Sequence, residues 1–362
     1  MIQALKLQIS PEVVRQLGQR FQRVYGVKMN LPADVNWEAL SLMQRVHLLA
    51  DCFANQLAES LDLSQKSIYH QAIEALPRVA AGLPDMVQFI FPQMIVVWGL
   101  KRPELIKESL YGLQQLTELY TSELAMRQFI AHHAESEVLW RQLQQWVWSE
   151  NPHHRRLACE SMRPRLPWAE HLSVTLQNPE KSLIVLQPLW QDPHPYVRKS
   201  VANHLNDHLK FNRDWAYNLL QKWVKNPSPA TQWIVKYALR NVLKAGEPQA
   251  YQILGFPSAD QFVVKAWQWQ FMQIDKGWQL VLQGQLHVTE AVSAQKVRLD
   301  WRLQWQTRQG KIRTKVFKGL EAEVPLAKPL SFQKVLKLKG QAYDDLQTML
   351  QVQLQVNGCL KG

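Results

Sequence analysis

Apolar residues recur at spacings of three and four through the first 250 residues, as at Leu40, Met43, Val46, Leu49, Ala50 and Phe53. One face of an α-helix returns every 3.6 residues, so this spacing predicts amphipathic helices, with breakers at intervals that keep them short. After Ala245-Gly246-Glu247-Pro248 the period becomes two. Val297, Leu299, Trp301, Leu303 and Trp305 alternate with Arg298, Asp300, Arg302, Gln304 and Gln306, and Leu350, Val352, Leu354 and Val356 alternate with Gln351, Gln353 and Gln355. Trp267, Trp269 and Phe271 follow the same rhythm, while Arg308-Gln309-Gly310 and Asn357-Gly358 read as turns. Such alternation predicts antiparallel strands with one buried face. About one hundred residues of this kind suit a small β-sandwich of immunoglobulin-like type.

The helical region repeats itself. Leu143-Gln-Gln-Trp-Val-Trp-Ser-Glu-Asn-Pro152 is echoed by Leu186-Gln-Pro-Leu-Trp-Gln-Asp-Pro193 and by Leu220-Gln-Lys-Trp-Val-Lys-Asn-Pro227. In each copy Asn-Pro or Asp-Pro stops one helix and starts the next. Arg155-Arg156 and Arg198-Lys199 then fall at matching positions of the second helix. Periods of 43 and 34 residues with two helices each point to a stack of helical hairpins. The expected architecture is therefore mainly α: a HEAT-like α-solenoid over residues 1–250, then an antiparallel, immunoglobulin-like β-sandwich over residues 262–362. The boundary is expected near residues 246–262.

Composition narrows the setting. A chain of 362 residues can hold two domains with ample cores. Cys52, Cys159 and Cys359 are scattered without CxxC spacing, which argues against a disulfide framework or an ordinary zinc site and for a reducing cytoplasm. No secretory signal is visible at the N-terminus, and the longest apolar run, Met86–Leu100, is broken by Gln88, Pro92 and Gln93. The expected location is cytoplasmic, with no membrane contact.

Net charge is +12, unevenly spread. Residues 1–150 carry 13 Lys/Arg against 15 Asp/Glu, residues 151–260 carry 14 against 8, and residues 261–362 carry 15 against 7. The basic excess lies wholly in the last two segments. A polyanion such as nucleic acid is the natural partner.

The candidate chemistry centres on Arg155-Arg-Leu-Ala-Cys-Glu-Ser-Met-Arg-Pro-Arg-Leu-Pro-Trp168. Glu160 stands there among four arginines, two prolines and an aromatic ring. A second acid, Asp207, follows Arg198-Lys199 one repeat later, and a third, Glu123, lies in Ser122-Glu-Leu-Ala-Met-Arg127. Equivalent positions of stacked repeats can converge on one face. Taken singly, each acid could instead make a local ion pair, such as Glu123 with Arg127. Pro164 and Pro167 forbid a continuing helix, so Arg163, Arg165 and Trp168 project from a stiff connection. Arginine offers a planar fork to phosphate, and tryptophan can stack on a base. His153, His154 and His194 lack the companions of a metal site and read as loop or phosphate-side histidines. No glycine-rich phosphate loop, GxSxG elbow or Cys-His pairing is evident, and no metal or cofactor is expected.

These residues resemble a known family. The stretch 155–168 and Ser200-Val-Ala-Asn-His-Leu-Asn-Asp207 are similar to the signature of the AlkC-type DNA alkylation repair glycosylases, HEAT-like repeat proteins related to the AlkD group. The resemblance extends to Ser122–Arg127 and to Ile234-Val-Lys-Tyr-Ala-Leu-Arg-Asn-Val-Leu-Lys244. In the C-terminal region Val297-Arg-Leu-Asp-Trp301, Lys315-Val-Phe-Lys318 and Gln355-Val-Asn-Gly358 resemble that family's immunoglobulin-like domain. It implies that Glu123, Glu160 and Asp207 are the catalytic acids, and that Arg155, Arg156 and Trp168 contact DNA near the lesion. Further DNA contacts are expected from Arg163, Arg165, Arg198, Lys199, Asn203, Lys236, Arg240, Lys315 and Lys318. Two departures stand out: Ser161 replaces the glycine usual after the central Glu, and Gly340–Thr348 is shorter than the family's strand-connecting loop.

The expected function is hydrolysis of the N-glycosidic bond of cationic N-alkylated bases, 3-methyladenine and 3-methylcytosine among them, in double-stranded DNA. Carboxylates would stabilise an oxocarbenium-like sugar and orient water, in a monomer. The competing reading is a non-catalytic HEAT-repeat DNA-binding or scaffold protein.

Overall fold

The computed structural model describes residues 5–30, 32, 35–275, 277–289, 293–326, 328–340, 343 and 346–361, with the side chains of residues 347 and 350 left aside. The helices are α1 (Pro11–Tyr25), α2 (Leu42–Ser60), α3 (Lys66–Ala80), α4 (Ile90–Gly99), α5 (Ile106–Leu119), α6 (Glu123–His132), α7 (Glu137–Val147) and α8 (Pro152–Ser161). They continue with α9 (Ser173–Gln177), α10 (Leu183–Leu189), α11 (Pro195–Phe211), α12 (Arg213–Trp223), α13 (Pro229–Ala238), α14 (Arg240–Ala245) and α15 (Pro248–Ile253). No helix among the described residues is long and apolar enough to cross a membrane.

Local chemistry sets the helix starts. Ser41 and Gln44 form a reciprocal capping box at α2, satisfying two backbone donors that the first turn leaves over. Pro152 is the first residue of α8, and the Asn151 side chain accepts the His153 N–H. Pro195 is likewise the first residue of α11, with His194 as the cap accepting from Tyr196. Proline is well placed there because its missing N–H has no helical partner anyway. In the second repeat, therefore, the helix starts at Pro195, and Asp192-Pro193 lies in the turn. The Asp192 carboxylate accepts the His194 N–H and so stiffens that turn. Leu143, Leu157, Val185, Leu186, Val197, Val201 and Leu205 are wholly buried.

The chain divides into two compact units. One comprises residues 1–215 with 227–234, and the other residues 216–226 with 235–362. The change from helix to strand falls between Ile253 and Phe262. The compact units divide the chain earlier, so α14 and α15 belong with the strands.

Among the described residues, seven strands form two antiparallel sheets, ordered β1-β2-β5 and β4-β3-β6-β7, namely β1 (Phe262–Ile274), β2 (Gly277–Val288), β3 (Gln295–Thr307), β4 (Ile312–Val324), β5 (Leu330–Leu338), β6 (Leu346–Val356) and β7 (Cys359–Lys361). Both sheets contribute to one apolar core, in which Leu280, Leu282, Val297, Leu299, Leu303, Leu354 and Val356 are fully buried. Asn357 and Gly358, with φ of 43° and 91°, make the two-residue β6–β7 turn that right-handed strand twist favours.

Three features depart from simple alternation. A bulge between Lys265 and Gln268, with Ala266 at φ 52°, interrupts the register of β1, and Trp269 is left substantially exposed. Arg298 and Asp300, expected on the polar face, are buried: Arg298 Nε donates to Asp300 Oδ2 at 2.8 Å, and the Gly319 N–H donates to Oδ1 at 2.9 Å. Each buried charge thus has its partner. Residues 341, 342, 344 and 345 of the Gly340–Thr348 connection lie outside the described residues, as do the first four residues and the Leu350 side chain.

Candidate active site

Glu123 opens α6, where the helix dipole favours an anion. Arg156 and Glu160 lie one turn apart on α8, and Ser200 and Asp207 lie two turns apart on α11, so each pair shares a helix face. Packing of α8 against α6 and α11 brings the side chains together. Arg156 forks onto Glu123, with Nη1 to Oε2 at 2.8 Å and Nη2 to Oε1 at 3.0 Å. Its Nη2 lies 3.8 Å from Glu160 Oε1. Arg163 Nη1 donates to that same oxygen at 2.5 Å, while its Nε donates to Asp207 Oδ2 at 2.9 Å. Ser200 Oγ donates to the other Glu160 oxygen at 2.5 Å.

The result is an alternating chain, Glu123–Arg156–Glu160–Arg163–Asp207, whose side chains are each only 8–12% exposed. Three carboxylates alternate with two guanidiniums along the chain, and the buried Arg127 guanidinium, which feels Glu160 and Asp207, supplies a third positive charge beside them. Charges this buried persist only because each meets an opposite one. Burial raises the Asp207 carboxyl above its ordinary value, with Arg163 opposing the rise and Glu160 adding to it. For Arg156, burial pulls downward, but Glu123 and Glu160 outweigh it and the guanidinium is held more firmly charged. Arg163 behaves the same way between Glu160 and Asp207. The Tyr196 ring covers Arg156 at 4.9 Å.

Beside this chain runs the connection from Met162 to Leu172. Trp168 adopts φ 63°, a left-handed conformation uncommon for a bulky side chain, and 46% of it is exposed. Phe89 meets the indole edge-on at 6.2 Å between centroids. Trp168, Leu124, Gln93, Gln128 and His171 line part of a cavity of about 370 Å³. Ser161 is completely buried, and its Oγ donates back to the Leu157 carbonyl at 2.7 Å, so the hydroxyl is satisfied within its own helix.

The structure differs from the expected phosphate grip. Arg156 and Arg163 hold acids. Arg155 is occupied by Asp192, at 2.6 and 3.2 Å, and by the Ser149 and Glu150 carbonyls, both at 2.9 Å. The local Glu123–Arg127 pair does not form either, because Arg127 turns to backbone carbonyls. Arg165 and Lys199 are exposed; Arg198 lies over the Trp233 ring at 5.3 Å, and Asn203, half-buried, shares α11 with Asp207. In the other compact unit, Lys236 pairs with Glu321 at 2.5 Å and Arg240 covers Tyr237 at 4.3 Å. Lys315 donates to Tyr343 Oη at 2.8 Å, and Lys318 is exposed. His154, expected in a loop, is a buried residue of α8 bonded to Glu118 at 2.7 Å. Among the described residues no three His, Cys, Asp or Glu side chains gather as a metal site.

Sequence reasoning passed over Ser200 as a partner of Glu160. It also passed over His204 and His208, which stack at 5.2 Å on α11 and share Ser182 Oγ at 3.1 and 2.9 Å. Their positions, four apart on one helix, were the available signal.

Residues 113–242 match the DNA alkylation repair enzyme family. The uncharacterized protein YhaZ of Bacillus subtilis strain 168 is 31% identical over 313 residues, covering 86% of this chain and 82% of that protein. The structure of the Pseudomonas fluorescens alkylpurine DNA glycosylase AlkC, bound to DNA containing an abasic site analog, superposes with a TM-score of 0.81 at 26% identity. The match covers 99% of this chain and 97% of that one.

Proposed function

The chain belongs to the DNA alkylation repair enzyme family, and from that premise we propose that it is a DNA glycosylase hydrolysing the N-glycosidic bond of cationic N-alkylated bases. The observation that carries this reading is the buried row of acids itself: Glu123, Glu160 and Asp207, bridged by Arg156 and Arg163. An N-alkylated purine such as 3-methyladenine is cationic before its bond breaks, and the sugar becomes cationic as it breaks. Carboxylates fixed in place before the reaction favour both. Arg156 and Arg163 hold those carboxylates in position.

Asp207 suits the base. Burial raises its proton affinity, so it accepts a proton from an attacking water more readily than a surface aspartate would. Water oxygen bonds to C1′, its proton passes to the carboxylate, and the glycosidic electrons leave with the base, which becomes neutral. Glu160, restrained by Ser200 and Arg163, faces the developing sugar cation, and Glu123 anchors Arg156. Trp168 lies against the duplex beside the lesion, and Arg165, Arg198, Lys199 and Asn203 meet phosphates.

The two-helix repeats whose second helices start at Pro152 and Pro195 support a HEAT-like glycosylase domain over residues 1–250. The two sheets with one core support an immunoglobulin-like, DNA-binding domain over residues 262–362, with Lys315 and Lys318 at the duplex. The test is base release from methylated duplex DNA by the wild type, Asp207→Asn and Glu160→Gln. Wild-type release, reduced on the order of 10²-fold in each variant, supports the reading. Binding without release, or robust release of the neutral lesion 1,N6-ethenoadenine, overturns it.

A further inference from the structure

Arg127 is a buried arginine with no carboxylate partner. It sits on α6, 4% exposed, and each of its five N–H groups meets a backbone oxygen. Nε donates to the Glu170 carbonyl at 2.9 Å, and Nη2 donates to Glu170 at 2.8 Å and to Pro164 at 2.9 Å. Nη1 donates to the Ser161 carbonyl at 3.4 Å and also to that of Arg163. All four oxygens belong to residues 161–170. One rigid fork thus gathers the end of α8 and both ends of the connection that carries Arg163 and Trp168.

An arginine stripped of water is costly unless every donor is answered, and burial lowers this one to about 10. A core built for stability alone would do as well with an apolar residue there. The carbonyls it binds flank the two groups that need exact placement. Arg163 must bridge Glu160 and Asp207, and Trp168 is held at a backbone angle that its side chain disfavours. Pro164 and Pro167 stiffen the connection but cannot donate to hold it, since neither has an N–H.

We propose that Arg127 is a positioning residue for base excision: its guanidinium fixes the 161–170 connection, which sets Arg163 between Glu160 and Asp207 and presents Trp168. The proposal rests on the glycosylase reading. Arg127 pairs with none of the three acids, and acts through backbone oxygens.

The experiment compares Arg127→Gln and Arg127→Lys with the wild type in single-turnover release of 3-methyladenine at saturating enzyme, from pH 4 to 8, correcting for folded fraction. Misplacing a catalytic group by about 1 Å can slow a reaction on the order of 10²-fold, and that loss is expected of Arg127→Gln. Arg127→Lys keeps the charge but lacks the fork, so about a tenfold loss is expected. The acid limb should also move to higher pH, because a displaced Arg163 no longer opposes the burial that raises Asp207. A purely structural role would lower stability and leave the rate per folded molecule and the pH profile unchanged. That result overturns the proposal. If Arg127→Gln does not fold, Arg127→Lys decides by the same criteria. Trypsin cleavage after the exposed Arg165 should accelerate in the variants, and equal cleavage overturns the positioning role even if the wild type releases no base.

Discussion

At the scale of single residues, Asp207 is the proposed base. Its carboxyl is raised by burial, so the active, ionised form should be lost on acidification at a higher pH than for an exposed aspartate. The single-turnover rate should therefore show an acid limb above the ordinary aspartate range, and Asp207→Asn should abolish that limb along with most of the rate. His204 and His208 make the opposite use of burial. Both are held neutral, His204 well below 6.5 and His208 at about 4. Between pH 4 and 6.5 the unfolded chain binds protons at His208 that the folded chain excludes. Stability is full above that window and falls as pH drops through it, by about 3 kcal/mol for His208. Replacing His208 by Asn should flatten the dependence of Tm on pH there, a change that calorimetry reads directly. The identities of the three acids were legible in their sequence surroundings. The His pair was not, because nothing local marks a histidine as buried.

Between elements, one strut ties α8 to the turn before α11. Arg155 near the start of α8 reaches Asp192 in the turn before α11, and both are nearly buried. Asp192→Ala leaves Arg155 without its counter-charge and should lower stability by about 3 kcal/mol in denaturant titration. Because Asp192 touches no member of the acid chain, folded variant should still release base. The helix start at Pro152 was readable because caps act within three or four residues, whereas the start expected at Asp192-Pro193 falls two residues later, at Pro195. The strut was not: Arg155 and Asp192 are 37 residues apart, and only the packing of successive repeats makes them neighbours. In β1 the alternating pattern foretold a strand, but a bulge at Ala266 alters the register, since pairing with β2 outweighs local rhythm.

For the whole molecule the dominant quantity is charge. A net +12, with the positive excess confined to residues beyond 150, makes DNA affinity fall with salt at roughly 0.9 log units per phosphate neutralised. With Arg155, Arg156 and Arg163 committed to carboxylates, exposed cations are left to meet phosphate. Substituting Arg165 or Lys199 by Ala should weaken binding to any duplex and reduce the salt slope by about 1 each, measured by fluorescence anisotropy. Arg156→Ala should leave that slope nearly unchanged while reducing base release.

The sequence by itself determined the periods, the caps, the turns and the acids, because these follow from backbone geometry and from neighbours a few residues away. Tertiary structure alone decided which cation serves which anion. Arg156 binds Glu123 33 residues away, Arg163 binds Asp207 44 away, and Arg127 forgoes the acid four residues before it for carbonyls 34 to 43 residues on. A long, flexible arginine has several partners within reach of its stem. Which it takes depends on where packed helices leave a desolvated opposite charge or an unpaired oxygen, and no spacing along the chain encodes that distance.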